Sequence, residues 1–429
     1  MTIDFPYRGF QPVHVSDDQL QGVYGPHQPE ALPDTDTVIA HALAHPVGSA
    51  HIAESVRPAD RVLVLTDDNT RLTPVDRILP FVLDELRRAG VSESRIEIMV
   101  AGGTHRHMTP AELDHKLGPA VTARFRILQN GWNDAAEIAE IGTTELGTPI
   151  AVNRRALDAD YVIGIGHIVP HRVAGFSGGS KIIQPGICGW VTTGYTHWLS
   201  ARFSGSQIMG RALNPVRSEM NDVAGRVGLS YLINAVQDGR GRLVALVAGD
   251  FLHAFAAGAE ISKQVFRAPM PQRADIVITD SYPADIELWQ AAKGVYTANL
   301  AVANGGVIIL VTPCPEGVSV QHRSDILRFG YGPYDTVRTA VEDGELTNLA
   351  VAAHLVHGGE SMGRGVTVML VSTGISELEA ERLNFLYAST VADALTVARG
   401  IVGASADIAV LQHGGELLPE VTSTTDRNV

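Results

Sequence analysis

The run Gly166-His167-Ile168-Val169-Pro170-His171-Arg172-Val173-Ala174-Gly175-Phe176-Ser177-Gly178-Gly179-Ser180-Lys181 sets imidazoles, a hydroxyl and an amine among closely spaced glycines. Glycine lets backbone approach a ligand, and successive N–H groups suit an anion such as phosphate. Lys181 has two readings here, a point charge for that anion or an amine nucleophile. The block runs on through Gln184-Pro185-Gly186 to His197. Further polar groups stand at Asp68-Asn69-Thr70-Arg71, at Gly103-Thr104-His105, and at Gln290 and Lys293. Taken singly these have plain readings: a capped turn, a strand-end histidine, an exposed pair on one helix face. Together they carry more. Of sixteen histidines, His105, His107, His167, His171 and His197 gather in one part of the chain. Imidazole titrates near neutral pH and ligates borderline metals. A zinc-dependent hydrolase is therefore one reading, although the sequence has no His-Glu-x-x-His pair and no Cys pair to anchor zinc. The glycine-rich loop is not a P-loop either, because Lys181 lacks the Gly-x-x-x-x-Gly frame and is not followed by Ser or Thr.

These side chains need elements to hold them. Tyr161–Ile165 reads as a buried strand that feeds the glycine-rich loop. Arg61–Leu65 is a strand ending at Asp67-Asp68, and Ile96–Val100 is a strand ending at Gly102-Gly103. Between them Pro74 opens a helix whose apolar positions Val75, Ile78, Leu79, Val82 and Leu86 keep helical spacing as far as Gly90. Thr109-Pro110 caps another helix. Earlier helices are expected at Thr37–Ala44 and near Ile52–Val56, and a mostly helical stretch after His197. A second alternation starts with a strand at Ala274–Ile278, with further strands at Gly306–Thr312, Thr367–Ser372 and Asp407–Leu411. Strand, loop and helix in repetition indicate parallel sheets. The expected fold is α/β: two α/β domains, residues 1–268 and 269–429, with mainly parallel sheets flanked by helices. Pro269, Pro271 and Gln272 interrupt the pattern at that break. Such sheets bind ligands beyond the carboxyl ends of their strands, and the active site is expected in the cleft between the domains. Residues 422–429 are polar and expected to fray.

Bulk properties narrow the function classes. A chain of 429 residues is long for one core, which favours two domains. Hydrophobic residues at 45% and charged residues at 19% are ordinary for a soluble protein. The formal charge of −14 disfavours a nucleic-acid surface. The first residues show no signal peptide, and no apolar run approaches the roughly eighteen residues of a membrane span. The chain reads as cytoplasmic, without a membrane partner. Two cysteines, Cys188 and Cys314, are too few for a disulfide framework and read as packing.

The set Asp68-x-Thr70-Arg71, Gly103-Thr104-His105, Pro170-His171-x-x-Ala174-Gly175-Phe176-Ser177-Gly178-Gly179-x-Lys181-x-x-x-Pro185-Gly186, His197 and Gln290-x-x-Lys293 closely resembles the lactate racemase family. The resemblance covers nearly the whole chain, with the clusters in the family's order. It implies a nickel-pincer nucleotide, pyridinium-3-thioamide-5-thiocarboxylic acid mononucleotide, joined covalently to Lys181, with His197 as the protein ligand to nickel. Asp68, Thr70, Ser177, Gly178 and Gly179 are then candidates for the phosphate and ribose. The implied reaction inverts C2 of a 2-hydroxy acid through a 2-keto acid, by reversible proton-coupled hydride transfer to the cofactor. Removing the hydrogen as a hydride avoids a carbanion beside a carboxylate. Inversion needs a base for each enantiomer, and His105 and His171 match the family's pair. Arg71 would clamp the carboxylate, and Gln290 and Lys293 would complete the catalytic set from the second domain. His107 and His167 are expected to be structural. The implied partners are a small 2-hydroxy acid and the proteins that make the cofactor. Trp289 stands where lactate racemase itself is expected to carry Tyr, so lactate is one candidate among longer, dicarboxylic, aromatic and sugar acids. Two further readings are a histidine-bound zinc hydrolase and a nucleotide carrier without turnover, and the acid–base pair and Arg71 argue against the carrier.

Overall fold

The computed structural model describes residues 1–422, so the expected fraying lies, past Thr422, outside the described residues. The chain forms two compact units. One comprises Gln28–Thr196 and Gly210–Val265; the other comprises Met1–His27, His197–Met209 and Phe266–Val429. The first residues and a short central segment group with the carboxyl-terminal half. Both units are α/β with mainly parallel sheets, as the alternation of elements implies.

In the unit containing Gln28–Thr196, six strands lie in the order Leu243–Gly249, Leu229–Gln237, Tyr161–His167, Val62–Thr66, Ile96–Val100, Arg126–Gln129. The Leu243–Gly249 strand is antiparallel to its neighbour and the other pairings are parallel. From Val62–Thr66 the chain builds outward on one side and then returns to Tyr161–His167 on the other. The reversal leaves a crevice above those two neighbouring strands, where doubly wound sheets bind ligands. The Val62–Thr66 and Tyr161–His167 strands are buried throughout, as strands covered on both faces must be. The Val75–Arg88 helix buries Val75, Ile78, Leu79, Val82 and Leu86 against Val62, Val64, Ile96, Ile98, Ile163 and Ile165. Each such side chain contributes about 1.5–3 kcal/mol by leaving water. The region after His197, expected to be mostly helical, also holds the Leu229–Gln237 and Leu243–Gly249 strands.

In the other unit the sheet order is Leu386–Tyr387, Thr367–Ser372, Val302–Thr312, Ala274–Asp280, Ile408–Leu411, Leu20–Tyr24, parallel throughout. Val277, Ile308, Leu310, Val368 and Leu370 pack on one face with Leu288, Val295 and Val351. Ile276, Ile278, Val307 and Ile309 pack on the other with Val391, Leu395 and the amino-terminal Ile3, Val13 and Val15. The Leu20–Tyr24 strand is thus the first in sequence and the edge of a sheet built otherwise from residues beyond 270. Gln19 fastens it by donating from Nε2 to the Ala404 carbonyl at 2.6 Å.

Candidate active site

Three loops leave the carboxyl ends of neighbouring strands in the first unit, and backbone hydrogen bonds join them. Asp67 N–H donates to the Ile165 carbonyl at 3.2 Å, Ala101 N–H to Thr66 at 2.7 Å, and Gly103 N–H to Gly186 at 2.9 Å. The Asp68–Arg71, Gly102–His105 and His171–Lys181 segments are thereby held together.

Asp68 is the organiser of the first loop. Its Oδ1 accepts from the Thr70 hydroxyl at 2.5 Å and the Thr70 N–H at 3.1 Å, while Oδ2 faces His105 Nδ1 at 2.6 Å. Burial alone would raise this carboxyl, but His105, Arg71 and the Thr70 hydroxyl hold it well below the usual carboxylate range. A buried, ionised Asp68 assigns a proton to His105 Nδ1. Within the protein, Asp68 serves the histidine and Thr70 the guanidinium. Arg71 Nη1 donates to the Thr70 hydroxyl at 3.0 Å and to its carbonyl at 3.2 Å.

His171 lies in a short hairpin, Pro170–His171 against Gly175–Phe176. Its Nδ1 accepts the Val173 N–H at 3.1 Å, which assigns the proton of the neutral ring to Nε2. The two histidines therefore differ at Nδ1, which faces a carboxylate in His105 and accepts a backbone N–H in His171. The hairpin requires glycine at its end. Gly175 has φ +79°, and a Cβ there would run into the Arg211 carbonyl. Gly178, at φ +71°, has Asn234 Oδ1 and the His167 carbonyl within 2.6 and 2.8 Å of where a Cβ would stand. The glycines fit this loop against protein as much as against any ligand. Ser177 and Gly179 do likewise: the Ser177 hydroxyl accepts from Val169 N–H at 2.9 Å and donates to the His167 carbonyl at 2.8 Å. Gly179 N–H donates to Asn234 Oδ1 at 2.8 Å.

Lys181 follows in the Gly179–Ile182 turn. Burial, then the Arg217 and Arg71 guanidinium groups, push its amine well below the ordinary lysine range. Burial and two neighbouring cations thus favour the neutral amine more than in an ordinary lysine, the direction a nucleophile needs. His107 bonds through Nε2 to the Asn130 carbonyl at 3.1 Å, and Cys188 and Cys314 are buried and free.

Sequence reasoning missed two buried cations of this unit. Lys116, 7% exposed, pairs with Asp67 at 2.8 Å and donates to the carbonyls of Arg71 at 2.8 Å and Thr73 at 3.2 Å. Arg217, 1% exposed, lies beneath the Lys181 loop. The available signal was a cation among Val216, Met220, Val223 and Val227, the buried face of a helix that Asn214-Pro215 opens.

In the other unit Lys293 donates to Gln290 Oε1 at 2.6 Å, as the three-residue spacing implies. Trp289 packs on His354 at 4.3 Å and on His322 at 4.7 Å between ring centroids. His354 is fastened from both sides, Nδ1 to the Tyr296 hydroxyl at 2.8 Å and Nε2 to the Tyr331 hydroxyl at 2.7 Å. His197 lies near the end of the Trp190–Ser200 helix. The Ser200 hydroxyl donates to the His197 carbonyl at 2.6 Å and meets His357 Nε2 at 3.0 Å. Among the described residues no group of three or more His, Cys, Asp or Glu side chains is placed to hold a metal ion.

Fold and site together define a doubly wound α/β protein with a carboxylate-paired histidine and a buried lysine on joined loops at its switch point. The comparisons with known proteins add the family. The lactate racemase N-terminal domain profile matches residues 8–208, and the C-terminal domain profile matches residues 270–418. Lactate racemase from Lactiplantibacillus plantarum is 31% identical over 289 residues, 67% of this chain and 68% of that protein. Lactate racemase from Thermoanaerobacterium thermosaccharolyticum is 29% identical over 287 residues, 66% of each chain. The solved lactate racemase apoprotein from that organism matches with a TM-score of 0.86 at 25% identity, covering 98% of this chain and 100% of its own. A Thermotoga maritima protein shares the fold, with a TM-score of 0.74 at 24% identity over 92% of this chain and 100% of its own. The chain belongs to the lactate racemase family, and is therefore an isomerase.

Proposed function

We propose that this enzyme inverts C2 of a 2-hydroxy acid, with lactate one of its candidate substrates, using a nickel-pincer nucleotide tethered to Lys181 and ligated at nickel by His197. The observation that carries the proposal is the Asp68–His105 pair beside Arg71 and the buried Lys181 on joined loops. When bound, the nucleotide supplies an electrophilic centre that takes up the C2 hydrogen with its electron pair and returns it.

The chain's own residues do the rest. Arg71 pairs with the substrate carboxylate, its fork steadied by Thr70. His105 takes the hydroxyl proton at Nε2 while Asp68 stabilises the resulting imidazolium. His171 serves the opposite enantiomer. To give a proton back it must be charged, and Nδ1 then carries hydrogen as well, so the Val173 contact has to open. Ser177, Gly178 and Gly179 shape the loop around the tether. Gln290 and Lys293 supply polar contacts to the substrate, and the ring of Trp289, fixed by His354 and His322, favours a small or planar C3 substituent. The same reading makes the enzyme a cytoplasmic protein served by the proteins that build the cofactor.

The test is peptide mass analysis and elemental analysis of protein co-produced with the cofactor-making enzymes. The expected result is a mass adduct on the Lys181 peptide with one nickel per chain, followed by interconversion of enantiomers in a screen of 2-hydroxy acids. An unmodified Lys181 with stoichiometric zinc would overturn it.

A further inference from the structure

Arg217 occupies a position that helix energetics disfavour. It is the third residue of the Pro215–Val227 helix, where the helix dipole opposes a cation, and it is almost wholly buried. Burial pushes it down to about 9, which still leaves it charged at neutral pH. Among the described residues no carboxylate pairs with it. Its donors go to the loop that carries Lys181: Nη1 to the Gly178 carbonyl at 2.9 Å and the Ser180 hydroxyl at 3.1 Å, and Nη2 to the Phe176 carbonyl. The guanidinium also lies over the Phe255 ring, 4.2 Å from its centroid. Its own helix start is fixed to the same loop, because Asn214 caps Arg217 N–H at 2.9 Å and donates to the Ala174 carbonyl at 3.2 Å.

A buried cation bonded to neutral acceptors is costly unless it does something. We infer that Arg217 is the positioning residue of the tether: it holds residues 176–180 in the shape that presents the Lys181 amine, and places a fixed positive charge beside that amine. The inference rests on Lys181 being the attachment point.

The charges around Lys181 agree with this assignment. The elements packed on its turn are the Pro215–Val227 helix and the Tyr161–His167 and Leu229–Gln237 strands. They bring Arg217, His167 and the uncharged Asn234. On the same helix Glu219 is held by the Thr144 and Thr148 hydroxyls, and Asp222 pairs with Arg226. The Asp68–Arg71 loop adds Arg71, so the charges that act on the amine are both positive.

The experiment uses the full chain made without the cofactor enzymes, treated with N-hydroxysuccinimidyl acetate across a pH series. The amine attacks the ester carbonyl, N-hydroxysuccinimide leaves, and acetylation of the Lys181 peptide is read by mass against the same peptide in denatured chain. The wild-type midpoint is expected to lie about one pH unit or more below the denatured one. Arg217→Met should raise it toward the denatured value, and Arg217→Lys, which keeps the charge, should hold it near wild type. Equal midpoints for wild type and denatured chain, or for wild type and folded Arg217→Met, would overturn the inference. If Arg217→Met does not fold, Arg217→Lys decides, since a midpoint at the denatured value refutes the role. No cofactor enters the experiment, so a missing Lys181 adduct in loaded protein would sink the tether and leave this result standing.

Discussion

At the scale of single residues, the site is built from side chains whose neighbours set their protonation. Asp68 is held ionised by His105 and Arg71, and in return fixes the His105 proton on Nδ1. Asp68→Asn keeps the shape and removes the charge, so the imidazolium loses its stabiliser. The expected result is a loss of about 10²–10⁴-fold in kcat, with the Lys181 adduct retained. His105→Ala and His171→Ala should each abolish inversion while cofactor stays bound, read by mass and by chiral analysis of product. Full activity in either would refute the pair. Sequence order alone indicated Asp68, His105 and His171 as a group. It did not show that Asp68 turns to His105, because that depends on a bond between residues on different strands' loops.

At the scale of elements, the loops are rigid because buried cations tie them down. Lys116 comes from the Pro110–Leu117 helix and joins Asp67, the Arg71 carbonyl and the Thr73 carbonyl, which fixes the loop that aims Arg71. Lys116→Met would leave the Asp67 carboxylate buried without its partner. The expected cost is about 3–5 kcal/mol in urea unfolding, together with a raised KM from a looser Arg71. A loss below about 1 kcal/mol would show that water reaches Asp67 and that the pair is an ordinary surface one. The helix containing Lys116 was legible from Thr109-Pro110, and the capping box Thr109–Glu112 is present. The inward reach of Lys116 was not, since lysine on an amphipathic helix reads as solvated by default.

At the scale of the whole molecule, the buried histidine of the second unit gives a pH signature. His354 lies between the Tyr296 and Tyr331 hydroxyls, and burial, then the nearby His322 and His197, push it down to about 3. Its folded value is below its unfolded one of about 6.5, so the unfolded chain binds a proton that the folded chain refuses. Above pH 6.5 the residue adds no pH dependence. As pH falls from 6.5 toward 3, stability drops by up to ~1.4 kcal/mol per pH unit from this group. Unfolding of wild type and His354→Gln, compared at pH 7 and pH 5, should show the larger acid loss in wild type. Equal losses would mean that His354 protonates in the folded state.

What the sequence by itself determined is the local grammar. The strands at Ile96–Val100 and Thr367–Ser372 and the helix from Val75 follow from apolar period and caps, which depend on neighbours in the chain. The position of Lys181, His105 and Arg71 at strand ends follows from the same reading. Tertiary structure decided the rest. Leu20–Tyr24 is a half-polar segment that becomes a strand only because Ile408–Leu411 offers it a free edge, and an edge needs little hydrophobic pattern. His197–Met209 groups with residues beyond 266, drawn by contacts such as Trp198 on Tyr334 at 5.3 Å. Arg217 acquires its role from carbonyls some forty residues away in sequence. Period and capping are written residue by residue, whereas the partner of a buried charge is fixed only when the chain has closed around it.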